Sequence, residues 1–139
     1  MKIDGSCHCG NIEFEAEVDE HSIVVCHCTD CQTLSGSAFR VVVPAATSSF
    51  HMRGGSPRHY VKTAESGARR VQAFCPDCGT PIYSCAEPEP THFFLRIGAI
   101  RQRAALRPAV QIWHRSALNW LGDLESIPSS SDQQALKFK

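Results

Sequence analysis

The chain carries three cysteines within six residues, in the stretch Cys26-His27-Cys28-Thr29-Asp30-Cys31. In extended backbone the two cysteines of a C-x-C step lie on the same side, and the C-x-x-C step that follows turns the third sulfur towards them. Catalytic zinc sites keep three protein ligands and leave the fourth position to water or substrate, whereas structural sites have four. The three cysteines, the triad, therefore predict a zinc site that is open unless a fourth ligand comes from elsewhere in the chain.

Four further cysteines form two more pairs with metal-ligand spacing, Cys7 with Cys9 and Cys75 with Cys78. The first pair is a C-x-C step in a turn-prone context, and the second is a C-x-x-C knuckle whose proline and glycine suit a tight turn. A redox C-x-x-C normally opens a helix in a βαβ pattern, which this sequence lacks, so zinc binding is the better interpretation. These four residues, the clasp, predict a closed structural site that joins distant parts of the chain and contributes on the order of 10 kcal/mol to folding.

The remaining cysteine, Cys85, leaves two alternatives open. Strand cysteines are usually buried and behave as small apolar side chains, which is the expected role. In a rival arrangement Cys85 is the fourth ligand of the triad, or the pairs are exchanged between the two sites. His8 and His27 lie in the middle of the two C-x-C steps, point away from the metal side, and are expected to be surface or supporting groups.

Composition and charge describe an ordinary globular domain. The 139 residues carry 14 basic and 14 acidic side chains, so neither nucleic acid nor an anionic membrane surface is an expected partner. No signal peptide is evident and no run approaches about 18 apolar residues, so we expect a cytoplasmic protein without a membrane span. In that reducing compartment the eight cysteines favour metal ligation over disulfides. One zinc domain is predicted over residues 1–125 and a disordered, serine-rich tail over residues 126–139, while the oligomeric state is not predicted.

Alternation of apolar and polar residues predicts a mainly β fold. The clearest case is residues 12–18, where isoleucine, phenylalanine, alanine and valine alternate with glutamates, the period of a half-buried antiparallel strand. Further strands are predicted at residues 23–25, 39–43, 50–52, 58–63, 69–74, 80–84, 91–97 and 110–113. Residues 44–49 are predicted as a loop, and one helical turn is expected from residue 32 on.

The loop after the triad is a candidate wall of the open zinc site. Ser35 and Ser37 offer hydroxyls, and Gly36 lets a ligand approach the backbone closely. The alternative for this loop is a polar turn with no role in binding. Trp113 and Trp120 are candidates to shelter a ligand beside the zinc, although packing in the core or at the rim is the commoner role of tryptophan.

Together these motifs resemble the glutathione-dependent formaldehyde-activating enzymes, also known as the centromere protein V/GFA domain family. The resemblance rests on four stretches in this order: Gly5-Ser6-Cys7-His8-Cys9-Gly10, Cys26-His27-Cys28-Thr29-Asp30-Cys31, Ser35-Gly36-Ser37-Ala38-Phe39 and Phe74-Cys75-Pro76-Asp77-Cys78-Gly79-Thr80. It implies a β-tent of layered antiparallel sheets with few helical turns, a structural zinc on the clasp and a catalytic zinc on the triad. The implied reaction joins glutathione and formaldehyde to S-hydroxymethylglutathione, formally the reaction of a carbon–sulfur lyase.

Two positions depart from the family pattern. Gln32 stands where formaldehyde-activating members often carry arginine, and Gln111 stands where the late strand often carries histidine. Gln32 joins the loop residues and Trp120 as a candidate substrate contact, and the two departures leave the particular thiol adduct open. The alternative class of function is a non-catalytic zinc module that binds a small thiol or a protein partner. Its discriminating sign is a triad completed by Cys85.

Overall fold

Ten strands and one α-helix organise residues 1–133, the part of the chain that the computed structural model describes. The strands are β1 (Lys2–Ser6), β2 (Ile12–Glu17), β3 (Val24–Cys26), β4 (Arg40–Ala46), β5 (His51–Gly54), β6 (Arg58–Thr63), β7 (Arg69–Phe74), β8 (Pro81–Ala86), β9 (His92–Arg96) and β10 (Val110–Ile112). The helix is α1 (Thr29–Ser35), and short 3-10 helices cover Thr47–Ser49, Ile97–Ala99, His114–Ser116 and Asn119–Ser126. The predicted mainly β fold with few helices is confirmed.

The smaller sheet has three strands in the order β1-β2-β5. β2 follows the predicted alternation, with Ile12, Phe14 and Ala16 buried and the glutamates between them exposed. The sequence pattern does not predict β1, which has one large apolar residue, Ile3, and becomes a strand by pairing with β2 along its whole length. At Gly5 in β1 an added Cβ atom would lie 2.4 Å from the Phe14 ring, so only glycine leaves room for that ring.

The larger sheet has seven strands in the order β10-β3-β4-β9-β8-β7-β6. Its neighbouring strands are antiparallel except β10 and β3, which run parallel. This parallel pair departs from the layered antiparallel sheets that the resemblance implies. Parallel neighbours need a long crossover connection, and here residues 27–109 supply it.

β4 continues to Ala46, so the prediction of a loop over residues 44–49 is wrong for its first half. Pro44 lacks a backbone N–H and normally ends a strand or lies at an edge. Here β3 pairs with β4 only from Arg40 to Val42, so Pro44 lies beyond that ladder and interrupts no bond to β3. On its other side β4 stays paired with β9 as far as Ala46.

The seven-stranded sheet separates the apolar core from a polar face. Its core face carries Val43, Val71, Ala73, Tyr83, Cys85 and Leu95, which cluster with the buried residues of the three-stranded sheet. Paired residues on neighbouring strands point to the same face of a sheet, so the strand pairings identify the residues on the face that points away from the core. Those residues include Cys26, Arg40, Val42, Lys62, Arg70, Gln72, Ser84, Phe94 and Arg96. The first cysteine of the triad therefore lies on a face rich in positive charge.

Only part of the predicted tail, residues 126–139, lies within the described residues. Ser126, where the tail was expected to begin, is the last residue of a 3-10 helix, and residues 134–139 lie outside the described residues. The division into a domain over residues 1–125 and a tail stays a prediction. Within residues 1–133, no helix combines the length and the apolar character that crossing a membrane requires.

Candidate metal centres and the cavity beside the triad

The clasp cysteines meet where the two sheets come together. Cys7 follows β1 of the three-stranded sheet, and Cys75 follows β7 of the seven-stranded sheet. The Sγ atoms of Cys7 and Cys9 are 3.6 Å apart, those of Cys9 and Cys75 are 3.8 Å apart, and all four sulfurs lie within 4.8 Å of one another. A tetrahedral site with Zn–S bonds of about 2.3 Å places its sulfurs about 3.8 Å apart. The clasp therefore fits a closed zinc site.

Hydrogen bonds around the clasp support thiolate ligands. The backbone N–H of Ile12 donates to the Cys7 sulfur at 3.2 Å. The Thr80 hydroxyl lies 3.2 Å from the Cys78 sulfur, and its hydrogen bond is the main cause that lowers the pKa of this thiol to about 5. Groups that donate to a ligand sulfur both orient it and favour its ionised form.

β3 and α1 together position the triad. Cys26 is the last residue of β3, Cys28 is the N-cap of α1, and Cys31 lies in its first turn. The Cys28 sulfur accepts a hydrogen bond from the Cys31 N–H at 3.3 Å, as a serine or aspartate side chain does at an N-cap. Because of this cap the helix begins within the motif, before the turn predicted from residue 32 on. The three sulfurs lie within 4.8 Å of one another, which fits three ligands of one zinc ion.

The pKa values of Cys26 and Cys31 shift in opposite directions. A hydrogen bond with Cys31 lowers the pKa of Cys26 to about 5, although burial opposes the shift. The same hydrogen bond raises the pKa of Cys31. Cys26 therefore ionises before Cys31, and a bound cation would favour the ionised form of the sulfurs that hold it.

Within residues 1–133, no fourth histidine, cysteine or acidic side chain joins the triad. The rival arrangement with Cys85 as a ligand is wrong, because Cys85 lies buried on the core face of β8, opposite Val71 of β7. This placement agrees with the expected role of Cys85 as a small apolar side chain. The other seven cysteines come together in the two predicted sets, so no pair is exchanged between the sites.

The triad opens onto a cavity of about 570 Å³. Its floor is the polar face of the seven-stranded sheet, and residues of α1 and of the segment 112–116 line its sides. The charged side chains in the lining are Asp30, Lys62, Glu65, Arg70, Arg96 and Arg115. A cavity of this volume suits a small-molecule ligand.

Ion pairs and a strained tryptophan mark the rim of this cavity. The ion pairs are Lys62–Asp30, with nitrogen and oxygen 2.6 Å apart, and Arg115–Glu65, at 3.2 Å. Trp113 has a left-handed backbone conformation with φ 55°, which is rare for a bulky residue. The Arg115 guanidinium lies over the Trp113 ring, 4.8 Å from its centroid. Trp113, one of the two candidate shelters, thus lines the cavity.

Sequence reasoning missed two buried arginines on the polar face of the larger sheet, of which Arg96 lines the cavity. Arg40 and Arg96 are only 6% and 8% exposed, and both guanidiniums donate to the Gln72 side-chain oxygen, at 3.3 and 2.7 Å. Burial lowers the pKa of both arginines, to about 9 for Arg96, while negative charge on the triad opposes the shift. The signal that could have found them is a charged residue at the end of an apolar run: Arg40 precedes three valines and Arg96 follows two phenylalanines and a leucine.

The five predicted substrate contacts lie outside the lining of this cavity. The Gln32 side-chain nitrogen donates to the backbone carbonyls of His27 and Ser116, both at 2.9 Å, and so ties α1 to two neighbouring segments. The loop residues Ser35, Gly36 and Ser37 form the end of α1 and its cap, and Trp120 lies in the last 3-10 helix. Contact of these five residues with a substrate stays a prediction.

His27, between two triad ligands, is a supporting group rather than a surface one. It is 2% exposed, and its Nε2 lies 2.7 Å from the Gln111 side-chain oxygen on β10. Its ring packs edge-on against Phe39 and His114. Gln111, one of the two departures from the family pattern, therefore holds the backbone that presents the triad.

The two cysteine sets predict unequal release of zinc. Four sulfurs enclose an ion in the clasp, whereas the triad has an open side on the cavity through which a chelator can attack. When a chromophoric chelator is added to zinc-loaded protein, we expect two phases of about one equivalent each, with the triad emptied first. The fast phase should be missing in Cys28→Ser. A single phase that releases both equivalents together would contradict the difference between the sites.

Comparison with known proteins adds two findings to this geometry. The family model described as glutathione-dependent formaldehyde-activating enzyme matches residues 2–116, a range that contains both cysteine sets. Among solved structures, the crystal structure of a Rhodobacter sphaeroides protein is similar, with a TM-score of 0.61 at 18% identity, over 78% of this chain and 98% of that chain. At this identity the likeness shows the fold alone. No curated protein matches the chain.

Proposed function

Since this chain belongs to the glutathione-dependent formaldehyde-activating enzyme family, we propose that it is a zinc-dependent carbon–sulfur lyase that makes and breaks adducts of a small thiol with a small aldehyde. The favoured substrates are glutathione and formaldehyde, which give S-hydroxymethylglutathione, or a related glutathione adduct. Each chain would hold two zinc ions, a structural one in the clasp and a catalytic one at the triad. The observation that carries the proposal is a set of three sulfurs with no fourth protein ligand in residues 1–133, open to a cavity.

The proposed reaction balances without an oxidant or a reductant. The thiol sulfur adds to the carbonyl carbon, and the π bond of the carbonyl group breaks. The thiol proton ends on the former carbonyl oxygen, which becomes a hydroxyl. The nucleophile is the thiolate, which is a minor form of an ordinary thiol at neutral pH because its pKa is about 8.5. Zinc held by the triad would keep an incoming thiol ionised at neutral pH and would polarise a carbonyl oxygen.

Positive side chains near the triad offset the negative charge of the cysteine thiolates and of the substrate thiolate. Three thiolates around a divalent cation leave a net negative charge, and a substrate thiolate adds to it. Arg40 lies opposite Cys26 in the pairing of β4 with β3, and the two side chains share a face of the sheet. Lys62 acts in the same direction, since its charge contributes to the lowered pKa of Cys26. These cations favour thiolates over thiols.

Hydrogen bonds from two elements hold the backbone of the triad in place. Gln32 of α1 donates to the His27 carbonyl, and Gln111 of β10 bonds the His27 ring. Both elements therefore hold the residue between two ligands, which restricts how far the sulfurs of Cys26 and Cys28 can move. A site arranged in advance of ligand binding supports catalysis better than one that forms on binding.

Two further observations support the proposal. None of the eight cysteines is in a disulfide, which fits a reducing compartment and supports the cytoplasm as the proposed location. The sign of a non-catalytic module would be Cys85 acting as the fourth ligand of the triad. Cys85 lies on the core face of the sheet instead.

The proposed function predicts that zinc-loaded protein accelerates the interconversion of glutathione and its formaldehyde adduct. Exchange spectroscopy by nuclear magnetic resonance measures this rate at equilibrium, without net reaction. We expect an exchange rate that rises in proportion to protein concentration. Protein from which only the triad zinc has been removed is the matched control, because its clasp is intact. Exchange at the spontaneous rate with both zinc ions bound would exclude the lyase function.

A cobalt-substituted triad separates catalysis from binding alone. Thiolate-to-cobalt charge-transfer bands grow with the number of sulfur ligands, so glutathione should shift the spectrum from three sulfurs towards four. Formaldehyde should reverse part of that shift, because a thioether sulfur is a weaker ligand than a thiolate. A response to glutathione without faster exchange would favour the non-catalytic thiol-binding module.

A further inference from the structure

The cavity floor holds a buried guanidinium that no acidic side chain neutralises. Arg96 is 8% exposed, and its Nη2 donates to the neutral amide oxygen of Gln72 at 2.7 Å. Its Nε is buried without a hydrogen-bond partner, and within residues 1–133 no carboxylate lies at ion-pair distance from it. A buried charge without a counter-charge is unfavourable, and because Arg96 lines the cavity, an anionic group from outside the chain can supply that counter-charge.

The other charged side chains of the cavity indicate which charge the outside group carries. The lysine and one arginine of the rim each have a carboxylate partner, in the pairs Lys62–Asp30 and Arg115–Glu65. Arg70 also lines the cavity, and its guanidinium lies over the Phe94 ring, 5.1 Å from the centroid, rather than beside a carboxylate. Arg70 and Arg96 therefore leave the floor with excess positive charge in the described part of the chain.

The position of this excess charge relative to the triad limits the shape of the ligand. Arg40 faces Cys26 directly, so its charge is balanced by the triad. Arg96 is on β9, which is separated from β3 by β4, and its guanidinium donates to Gln72 on β7, on the side of β9 away from β3. A ligand whose sulfur lies at the triad can reach Arg96 only with a group several bonds away from that sulfur.

We propose that Arg96, with Arg70 beside it, binds a carboxylate of the thiol substrate, so that the cavity selects thiols that carry a carboxylate several bonds from the sulfur. This inference rests on the proposed function, because it takes the triad as the place where the sulfur binds. A guanidinium suits the task because its planar fork can donate to both oxygens of a carboxylate. Gln72 holds that fork from the side, since its oxygen accepts from Arg96 and from Arg40.

Glutathione and its dimethyl ester test the proposal, because they share the thiol and differ in their carboxylates. Titration calorimetry with zinc-loaded protein gives a Kd for each compound. We expect glutathione to bind roughly 10- to 100-fold more tightly than the diester, the range for hydrogen bonds to a charged group. Arg96→Gln should lose most of this preference while its affinity for the diester changes little.

Two more variants sharpen the comparison. Arg96→Lys keeps the charge but not the planar fork, so an intermediate preference is expected. Arg69→Gln is the matched control, because Arg69 pairs with Glu87 and does not line the cavity, and it should retain the full preference. Thermal melts followed by circular dichroism establish that each variant is folded. If Arg96→Gln does not fold, Arg70→Gln serves in its place, with a partial loss of preference expected.

The possible outcomes separate this inference from the proposed function. Equal affinity of the unmodified protein for the two compounds, or a full preference in Arg96→Gln, would overturn the carboxylate site. Exchange with formaldehyde that is equally fast for both compounds would keep the lyase function and remove the site. A preference for glutathione in binding, with exchange at the spontaneous rate, would keep the site and remove the lyase function.

Discussion

Cys78→Ser is expected to leave the chain unfolded or insoluble. The clasp joins Cys7 and Cys9, next to the three-stranded sheet, to Cys75 and Cys78 after β7 of the seven-stranded sheet. A structural zinc site contributes on the order of 10 kcal/mol, while a domain of this size has a total stability of about 5–15 kcal/mol. Loss of one ligand can therefore remove most of the free energy of unfolding.

The exposed position of Cys78 separates metal binding from other causes of lost stability. Its side chain is exposed, and substitutions at exposed positions without a special role usually change stability by about 0.5 kcal/mol or less. Only metal binding gives a reason for a large effect there. The polar contacts beside it, such as the hydrogen bond of 2.8 Å from Asn11 to Asp77, are at the surface and are too weak to replace the metal.

Soluble yield and thermal melts by circular dichroism measure the effect of Cys78→Ser. Cys85→Ser is the matched control, since it changes the one cysteine outside both sets, at a buried position where a hydroxyl is expected to destabilise by about 1–3 kcal/mol. Adding a strong chelator to the unmodified protein should reproduce the loss seen in Cys78→Ser. If Cys78→Ser melts at the same temperature as the unmodified protein, the clasp does not hold a stabilising metal.

Cys28→Ser is expected to give the opposite result, a folded domain without activity. The Cys28 sulfur is both a triad ligand and the N-cap of α1, where it accepts from the Cys31 N–H. Serine is among the best N-cap residues, so the helix keeps its cap and the free energy of unfolding should change by less than about 1 kcal/mol. Serine is a poor zinc ligand, however, because its hydroxyl does not ionise near neutral pH.

Cys28→Ser should therefore lose activity while its stability stays close to that of the unmodified protein. Changes to groups that only support a metal ligand reduce affinity or activity by about 10- to 100-fold, so loss of a ligand itself should exceed roughly 100-fold in the exchange rate. Metal analysis should find about one zinc ion per chain instead of two. A variant that is as unstable as Cys78→Ser would assign the triad a structural role, and one that keeps full activity would exclude the triad from the reaction.

Several parts of the fold follow from local patterns. Apolar residues at every second position predict β2, and similar runs predict most strands of the larger sheet. The exceptions have identifiable causes. β1 has almost no apolar pattern and forms through its pairing with β2, and Pro44 stays in β4 because the ladder with β3 ends before it. Neither pairing can be read from the residues of one strand alone.

The parallel pairing of β10 with β3 is a case of the same kind, with a consequence for the site. It brings Gln111 to His27 across 84 residues of sequence, and the same region provides Trp113 for the cavity rim. Sequence spacing favoured Gln32 and the loop that follows as the wall of the site. The structure instead lines the cavity with side chains from separate strands, because antiparallel pairing aligns residues that are far apart in the chain.

The sequence by itself indicated which cysteines could bind metal, and the tertiary structure decided which side chains surround them. Ligand spacing is a local property, so the C-x-C and C-x-x-C steps, together with the family resemblance, predicted the clasp and the triad as two sets. Which charges face the triad is not local. Arg40 and Arg96 read as ordinary strand residues until the register of β3, β4 and β9 places them on one face with Cys26. A shift of one residue in that register would turn each side chain to the opposite face, so only the assembled sheet decides that Arg40 and Arg96 lie on the polar face and that Val43 and Leu95 lie on the core face.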